Sequence, residues 1–151
     1  MQEENKAGKV LFVLLRLAFA ICLFLSQLTS PRETLFTQSL YLLALGLLFV
    51  LAGVLLWISA GRHLNRAQLA GKFATAGPFK YVRHPVYISM YVLAVGLGFI
   101  FFTPLWFLVL AVFLPLWYLE CRKEEQEMIE IYGQKYVEYQ EQTGMLIPKI
   151  V

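Results

Sequence analysis

The sequence predicts an all-α, polytopic membrane protein with four transmembrane helices and a helical C-terminal cytoplasmic tail. Three observations support this fold class. Hydrophobic residues make up 59% of the 151 residues, and charged residues make up only 15%, against about 25% in soluble domains. Several apolar stretches approach the about 17 to 25 residues that a helix needs to cross a bilayer. The polar segments are too short to bury a separate core, so we expect one integral membrane domain over residues 1–151.

The four predicted membrane helices are residues 10–28, 35–59, 86–102 and 104–119. Only Thr103 separates the last two, which predicts a tight hairpin whose second helix continues past Leu119 into the charged tail. Residues 60–85 form the predicted cytoplasmic loop between the two pairs of helices. Residues 120–151 form the predicted cytoplasmic tail.

The basic residues predict the orientation, since short cytoplasmic loops collect Lys and Arg. Here they cluster near the N-terminus, in the central loop and in the tail, and only Arg32 falls on the opposite side. We therefore expect both termini in the cytoplasm of a prokaryotic cell. A cleaved signal peptide is the competing interpretation of residues 10–28. The length of that stretch, its Arg16 and the lack of a small-x-small cleavage pattern argue against it.

The remaining composition excludes several classes of function. Cys22 and Cys121 lie far apart along the chain and predict neither a disulfide framework nor a metal site. The net charge of +3 is explained by the orientation signal, so we expect no nucleic-acid partner. Membrane lipid is the expected surrounding, and the oligomeric state is left open.

The loop and the tail carry opposite charges. No acidic residue lies between Arg62 and Tyr87, whereas seven glutamates follow from Glu120 to Glu141. A basic loop that folds against an acidic helix encloses a polar pocket suited to a zwitterionic ligand. We expect the tail helix to break near Gly133. Its tyrosines either anchor the helix at the membrane interface or line the pocket; they are Tyr132, Tyr136 and Tyr139.

Residues 77–87, with the sequence GPFKYVRHPVY, concentrate the polar chemistry of the loop. Pro85 suits the first turn of a helix, which places His84 at a helix N-terminus. Free backbone N–H groups and the helix dipole favour an anion there. On local physics alone, an Arg-His-Pro step at a membrane boundary is more often an orientation signal followed by a helix start.

The pattern G-P-F-x-x-V-R-H-P-x-Y, then a hydrophobic hairpin, then E-E-x-x-M-x-x-x-Y-G-x-x-Y-x-x-Y resembles the isoprenylcysteine carboxyl methyltransferase and phospholipid methyltransferase family. The resemblance covers residues 71–148 with order and spacing kept. It implies a membrane-embedded methyltransferase that uses S-adenosylmethionine and differs in fold from the soluble Rossmann-like enzymes. It further implies a lipid-like or prenylated small substrate, methylated at the cytoplasmic membrane face.

Carried over position by position, the resemblance assigns cofactor contacts to Lys72, Phe73, Ala74, Phe79, His84, Pro85, Val86, Tyr87 and Glu124. A carboxylate such as Glu124 suits the cofactor's ammonium group, and N–H groups near His84 suit its carboxylate. Phe79 or Tyr87 is suited to stack on the adenine or to face the sulfonium. Glu125 is expected to balance charge.

One departure from the family pattern concerns the methyl acceptor. Carboxyl-methylating members carry an arginine, associated with the substrate carboxylate, one turn before the Glu124 position, where this chain has Glu120. Glu120 is therefore a candidate base or substrate contact, which favours an amine acceptor that must first lose a proton. Arg83 and Arg122 are the remaining candidates for binding a substrate carboxylate.

Two other classes of function compete with the enzyme. A non-catalytic relative of the same fold would bind a lipid or a partner protein. A small transporter subunit would need an ionisable residue inside a span, and only Arg16 lies well within one, near enough to its end to snorkel. That position argues against transport.

Overall fold

The computed structural model describes residues 2–28, 40–101 and 104–149, and all regular elements in these ranges are helices. The five helices are α1 (Gln2–Leu28), α2 (Leu40–Leu69), α3 (Pro85–Phe101), α4 (Pro104–Tyr132) and α5 (Gln134–Gln142). A 3₁₀ turn, Gly77–Lys80, lies between α2 and α3. The predicted all-α class is confirmed.

Two helices, α2 and α4, are long and apolar enough to cross a membrane. The apolar segments that the structure describes at the other two predicted spans are shorter, Val13–Ser26 and Pro85–Phe101. Four crossings therefore stay a prediction. Residues 35–39 and residue 102, which belong to predicted spans, lie outside the described residues.

The helix that contains the second predicted span extends past the predicted end of that span. Helix α2 does not end at residue 59 but continues to Leu69, because residues 60–69 contain no proline and are rich in Arg, Leu, Ala and Gln, which favour helix. The helix stops just before Gly71, whose φ of 64° is the left-handed conformation common at helix ends. The central loop is thus residues 70–84.

Other boundaries follow the sequence more closely. Helix α4 runs without a break past Leu119 to Tyr132, as predicted for the second helix of the hairpin. Gly133, with φ of 59°, separates α4 from α5 and confirms the predicted interruption. Helix α1 begins at Gln2 rather than at residue 10.

Helices α2 and α3 pack with their backbones very close together. A Cβ atom placed on Gly96 would lie 2.8 Å from the carbonyl oxygen of Gly46, and one on Gly53 would lie 2.9 Å from the backbone nitrogen of Leu93. Small residues permit this approach between apolar helices. The packing fixes the last turns of α2 beside the first turn of α3.

Aromatic side chains join α1 to α4. The ring of Phe19 lies 4.9 Å from that of Phe113 and 4.9 Å from that of Trp117, centroid to centroid. Trp106 donates its indole N–H to the carbonyl oxygen of Ala94 at 2.7 Å and so ties α4 to α3. These contacts set the position of Arg16, one turn before Phe19.

The end of the tail returns to the central loop. Val82 and Gly144 form an isolated parallel bridge. The backbone N–H of Arg83 donates to Gly144 at 2.9 Å, and that of His84 donates to Met145 at 3.2 Å. The loop and the tail therefore pack together, as their opposite charges predict.

Candidate active site

A cavity of about 580 Å³ lies where α2 ends and α3 begins. The central loop forms one wall, the start of α3 a second, and the charged part of α4 together with α5 a third. All nine residues to which the resemblance assigns the cofactor line this cavity: Lys72, Phe73, Ala74, Phe79, His84, Pro85, Val86, Tyr87 and Glu124. Residues separated by up to 52 positions in the sequence thus meet at one site.

One end of the cavity is aromatic. The ring of Phe73 lies 5.0, 5.3 and 5.4 Å from those of Tyr132, Tyr136 and Tyr139, centroid to centroid. The Tyr139 hydroxyl donates to the carbonyl oxygen of Phe79 at 2.6 Å, and burial raises the pKa of Tyr139 to about 12. Of the two roles left open for the tyrosine stripe, the structure supports lining the pocket.

Glu124 occupies the middle of the cavity, beyond the apolar part of α4. The Tyr87 hydroxyl donates to its Oε1 at 2.5 Å, and the Nδ1 of His84 lies 3.6 Å from its Oε2. Burial raises the pKa of the Glu124 carboxyl, although Tyr87 and His84 act in the opposite direction. The side chain stays 41% exposed, so this carboxylate is held in place while open to a ligand.

Glu125 points to the other side of the helix and balances charge, as expected. It accepts from Arg83 Nε at 2.5 Å and lies 3.3 Å from His84 Nε2. Burial favours its neutral form, but the bonds from His84 and Arg83 outweigh burial and lower the pKa of the Glu125 carboxyl. Glu125 thus holds the loop and orients the His84 ring.

Arg83 lines the cavity, but its guanidinium is already bound on every side. Its Nε and Nη2 donate to Glu125, and its Nη1 donates to the carbonyl oxygens of Gln140 and Thr143. The side chain is only 9% exposed. The predicted role of Arg83 in binding substrate is therefore replaced by a structural one, which ties the loop to the tail.

The first turn of α3 offers backbone donors to the cavity. The N–H of His84 itself is taken by the carbonyl oxygen of Met145. Pro85 has no N–H, and those of Val86 and Tyr87 precede the first intrahelical bond. No partner for either is found among the described residues. Both residues line the cavity, so an anion can meet these two groups.

A third charged group, Arg16 of α1, reaches the same cavity. Its Nη2 donates to the Tyr87 hydroxyl at 2.9 Å and to Glu120, and it lies 3.8 Å from Glu124 Oε1. Glu120 is buried beneath this contact and does not line the cavity. The structure thus places the candidate base Glu120 in a shielded pair with a guanidinium, and its role in catalysis stays a prediction.

A sequence model of the phospholipid methyltransferase family matches residues 34–135 of the chain. That stretch exceeds half of the 151 residues. The chain belongs to the phospholipid methyltransferase family. The isoprenylcysteine carboxyl methyltransferase-like resemblance of the two motifs is thereby confirmed at the level of the family.

Two curated relatives share part of this family sequence. Both are called methanethiol S-methyltransferase, one from Crocosphaera subtropica and one from Pseudomonas deceptionensis. Each is 34% identical to the chain, over 83 and 84 residues respectively. The matches cover 52% and 53% of this chain but only 30% of each relative. The chain therefore matches under a third of the length of these relatives.

The cavity is also lined by several residues that the sequence did not predict. Leu64 and Gln68 line it because α2 extends farther than predicted. Glu127 of the acidic tail also lines it. Arg16 was interpreted only as a snorkelling charge, and α1 lies outside the family match. Arg122, predicted to bind substrate, is exposed and does not line the cavity.

Proposed function

We propose that this protein binds S-adenosylmethionine in the cavity and transfers its methyl group to a small lipophilic acceptor. The observation that carries the proposal is the convergence of the nine family cofactor positions on one cavity. Its volume of about 580 Å³ falls within the range of about 300 to 1,000 Å³ typical of small-molecule sites. We further propose that the site faces the cytoplasm, where the cofactor is supplied.

The three parts of the cavity match the three parts of the cofactor. The aromatic end around Phe73 suits the adenine ring, which stacks favourably on aromatic faces. The open carboxylate of Glu124 suits a cationic ammonium group. The free N–H groups of Val86 and Tyr87, at the positive end of α3, suit a carboxylate.

The bound cofactor supplies a methyl group on a sulfonium sulfur. In a direct displacement the nucleophilic atom of the acceptor bonds to the methyl carbon, and the carbon–sulfur bond breaks with its electron pair left on sulfur. The protein therefore has to align the reactants and exclude water. Tyr87 is placed for this role, because its hydroxyl is fixed by Glu124 and Arg16 while its ring lies at the cavity wall.

The acceptor is proposed to enter from the helix side of the cavity. Met90 and Trp117 line that side, and both belong to helices with apolar surfaces that suit contact with lipid. A lipid-like acceptor would reach the site from the membrane while the polar cofactor arrives through the loop. The names of the two relatives make a small thiol a second acceptor to test beside lipid-like and prenylated compounds.

Transfer of labelled methyl groups from S-adenosylmethionine tests this function. Purified protein in detergent is incubated with labelled cofactor and a panel of membrane lipid extracts, prenylated carboxylates, alkyl thiols and alkyl amines. We expect label in an organic product with the wild type and about tenfold less at limiting cofactor concentration with Glu124→Gln. The absence of labelled product with every acceptor would favour the non-catalytic relative.

A further inference from the structure

We infer that Arg16 selects an acceptor whose reacting group is an anion, a thiolate or a carboxylate, rather than an amine. The inference deepens the proposed function and rests on it. Arg16 belongs to α1, a helix that the family match does not include. The helix would thus contribute the part of the site that recognises the acceptor.

One edge of the Arg16 guanidinium is fixed and the other is open. Both of its hydrogen bonds to described residues use Nη2, and they go to Tyr87 and Glu120. Arginine has five N–H donors, so those on Nη1 and Nε remain for a ligand. The side chain is 52% exposed and lines the cavity. A guanidinium held this way can bind an anion through two of its own N–H donors.

The partner that fixes Arg16 does not compete for the open edge. The Glu120 side chain is only 4% exposed and lies behind the guanidinium, away from the cavity. The Glu120 carboxylate is occupied by Arg16 and does not line the cavity, so it is not placed to take a proton from a ligand there. The ion pair fixes Arg16 through Nη2 and leaves its other donors without a partner among the described residues.

The groups around the open edge also disfavour an ammonium ligand. Glu124, the other carboxylate near Arg16, is bonded to Tyr87 and is assigned to the cofactor's ammonium in the proposed function. Met90 and Trp117 form the neighbouring wall. A guanidinium with unoccupied donors in a partly apolar cavity fits an amphiphile with an anionic head, since an anion accepts hydrogen bonds from these donors and an ammonium group cannot.

An anionic acceptor can also react without a basic group of the protein, because it has no proton to lose before methyl transfer. A thiol loses its proton to water, and a nearby guanidinium lowers the pKa of a thiol by favouring the thiolate. The thiolate sulfur then bonds to the methyl carbon as the sulfonium bond breaks, and the two opposite charges cancel. A carboxylate reacts in the same way through one of its oxygens.

Binding of amphiphiles with different head groups tests the inference independently of turnover. The protein is saturated with S-adenosylhomocysteine, and affinities are measured by Trp fluorescence. Octanoate is compared with octylammonium at neutral pH, and octanethiol above its pKa is compared with octyltrimethylammonium, which keeps its charge there. We expect at least one anion to bind about tenfold or more tightly than the cation with which it is compared, as one charge-assisted contact provides. Comparison of the affinities for the carboxylate and for the thiolate identifies which anion the site binds.

Two variants separate anion selection from folding. Arg16→Gln is expected to remove the preference, but it leaves Glu120 buried without its partner. The double variant Arg16→Gln/Glu120→Gln replaces the ion pair by a neutral one and is expected to keep the helical circular dichroism of the wild type while showing no preference. Arg62→Gln, on an exposed position of α2, is the matched control and is expected to keep the preference.

Equal binding of anion and cation in both comparisons, tighter binding of the cations or no binding of any amphiphile would overturn the inference. A preference that persists in the double variant would also overturn it. Failure of the proposed function gives a different result, because the wild type would then not bind S-adenosylmethionine or S-adenosylhomocysteine at all. Cofactor binding together with methylation of amines alone would reject the role of Arg16 and leave the proposed function standing.

Discussion

Glu124 and Glu125 are neighbours in the sequence but have separate tasks. Successive residues of an α-helix point about 100° apart, so Glu124 faces the cavity while Glu125 turns toward Arg83. The first is 41% exposed and the second is 9% exposed. Their pKa values move in opposite directions because burial dominates at Glu124, whereas the bonds from His84 and Arg83 outweigh burial at Glu125. The pair thus supplies one carboxylate for a ligand and one for the fold.

We expect Glu124 to make cofactor binding sensitive to acid. The Glu124 pKa is raised, so as pH falls its carboxylate takes up a proton earlier than an ordinary glutamate would, and its attraction for an ammonium group is lost. We expect the affinity for S-adenosylmethionine to fall by about tenfold on the acid side. Titration calorimetry at a series of pH values measures this, with Glu124→Gln as the variant. An equally steep fall in Glu124→Gln would show that another group is responsible.

Arg83 is predicted to hold the tail on the loop. In Arg83→Gln the buried Glu125 loses its main partner, and we expect the free energy of unfolding to decrease by about 3 to 5 kcal/mol. Denaturant titration in detergent micelles measures the loss, and proteolysis should then cut the tail after α5 more readily. Lys80→Gln, an exposed cation of the same loop, serves as the control. A change of less than about 1 kcal/mol, the value of surface pairs, would contradict the structural role.

At this scale, the sequence grouped the residues assigned to the cofactor better than it grouped Arg16 and Glu120. The motif residues were placed by their resemblance to a family, and they do meet at one cavity. The contact of Arg16 with Glu120 joins residues 104 positions apart, and no local sequence pattern predicts such a pair. Whether Glu120 acts as a base depended on that partner, so its role could not be derived from its own neighbours in the chain.

The close packing of α2 against α3 depends on glycine at the contact. A Cβ on Gly96 would meet Gly46 at 2.8 Å, whereas one on Gly61 of α2 would have no atom within 4 Å. We expect Gly96→Ala to lower the free energy of unfolding by about 1 to 3 kcal/mol, as overpacking does. Gly61→Ala should be neutral or raise it by up to about 1 kcal/mol. Denaturant titration of both variants compares them, and equal effects would contradict the close packing.

Helix ends were harder to predict than the helices themselves. Apolar runs marked the helices, but the end of an apolar run is not the end of a helix, since residues 60–69 continue α2 with polar helix formers. The later break at Gly133 was predictable because glycine adopts the left-handed conformation there. The extension of α2 matters for the site, because it brings Leu64 and Gln68 to the cavity.

The whole molecule assembles its site from three distant parts of the chain. Helix α1 contributes Arg16, the central loop and α3 contribute one face of the cavity, and α4 with α5 contribute the other. The all-helical class followed from composition and apolar length. The number of crossings, the orientation and the single-domain organisation stay predictions, because the apolar segments of α1 and α3 are short and no helix length fixes a direction.

The predicted orientation places the central loop in the cytoplasm. Thr75 is exposed in that loop, so Thr75→Cys should react with a membrane-impermeant maleimide in inverted vesicles and not in intact cells. The wild type controls for Cys22 and for Cys121, which is buried. Labelling in intact cells would place the loop, and the cavity with it, on the outer side of the membrane.

Calorimetric titration of the purified protein with S-adenosylmethionine tests the central claim most directly. We expect saturable binding at one site per chain, weakened about tenfold or more in Glu124→Ala through loss of a charge-assisted contact. Glu130→Gln, an exposed carboxylate of the same helix that does not line the cavity, should bind as the wild type does. Absence of binding by the wild type, or equal binding by Glu124→Ala, would contradict the assignment of this cavity to the cofactor.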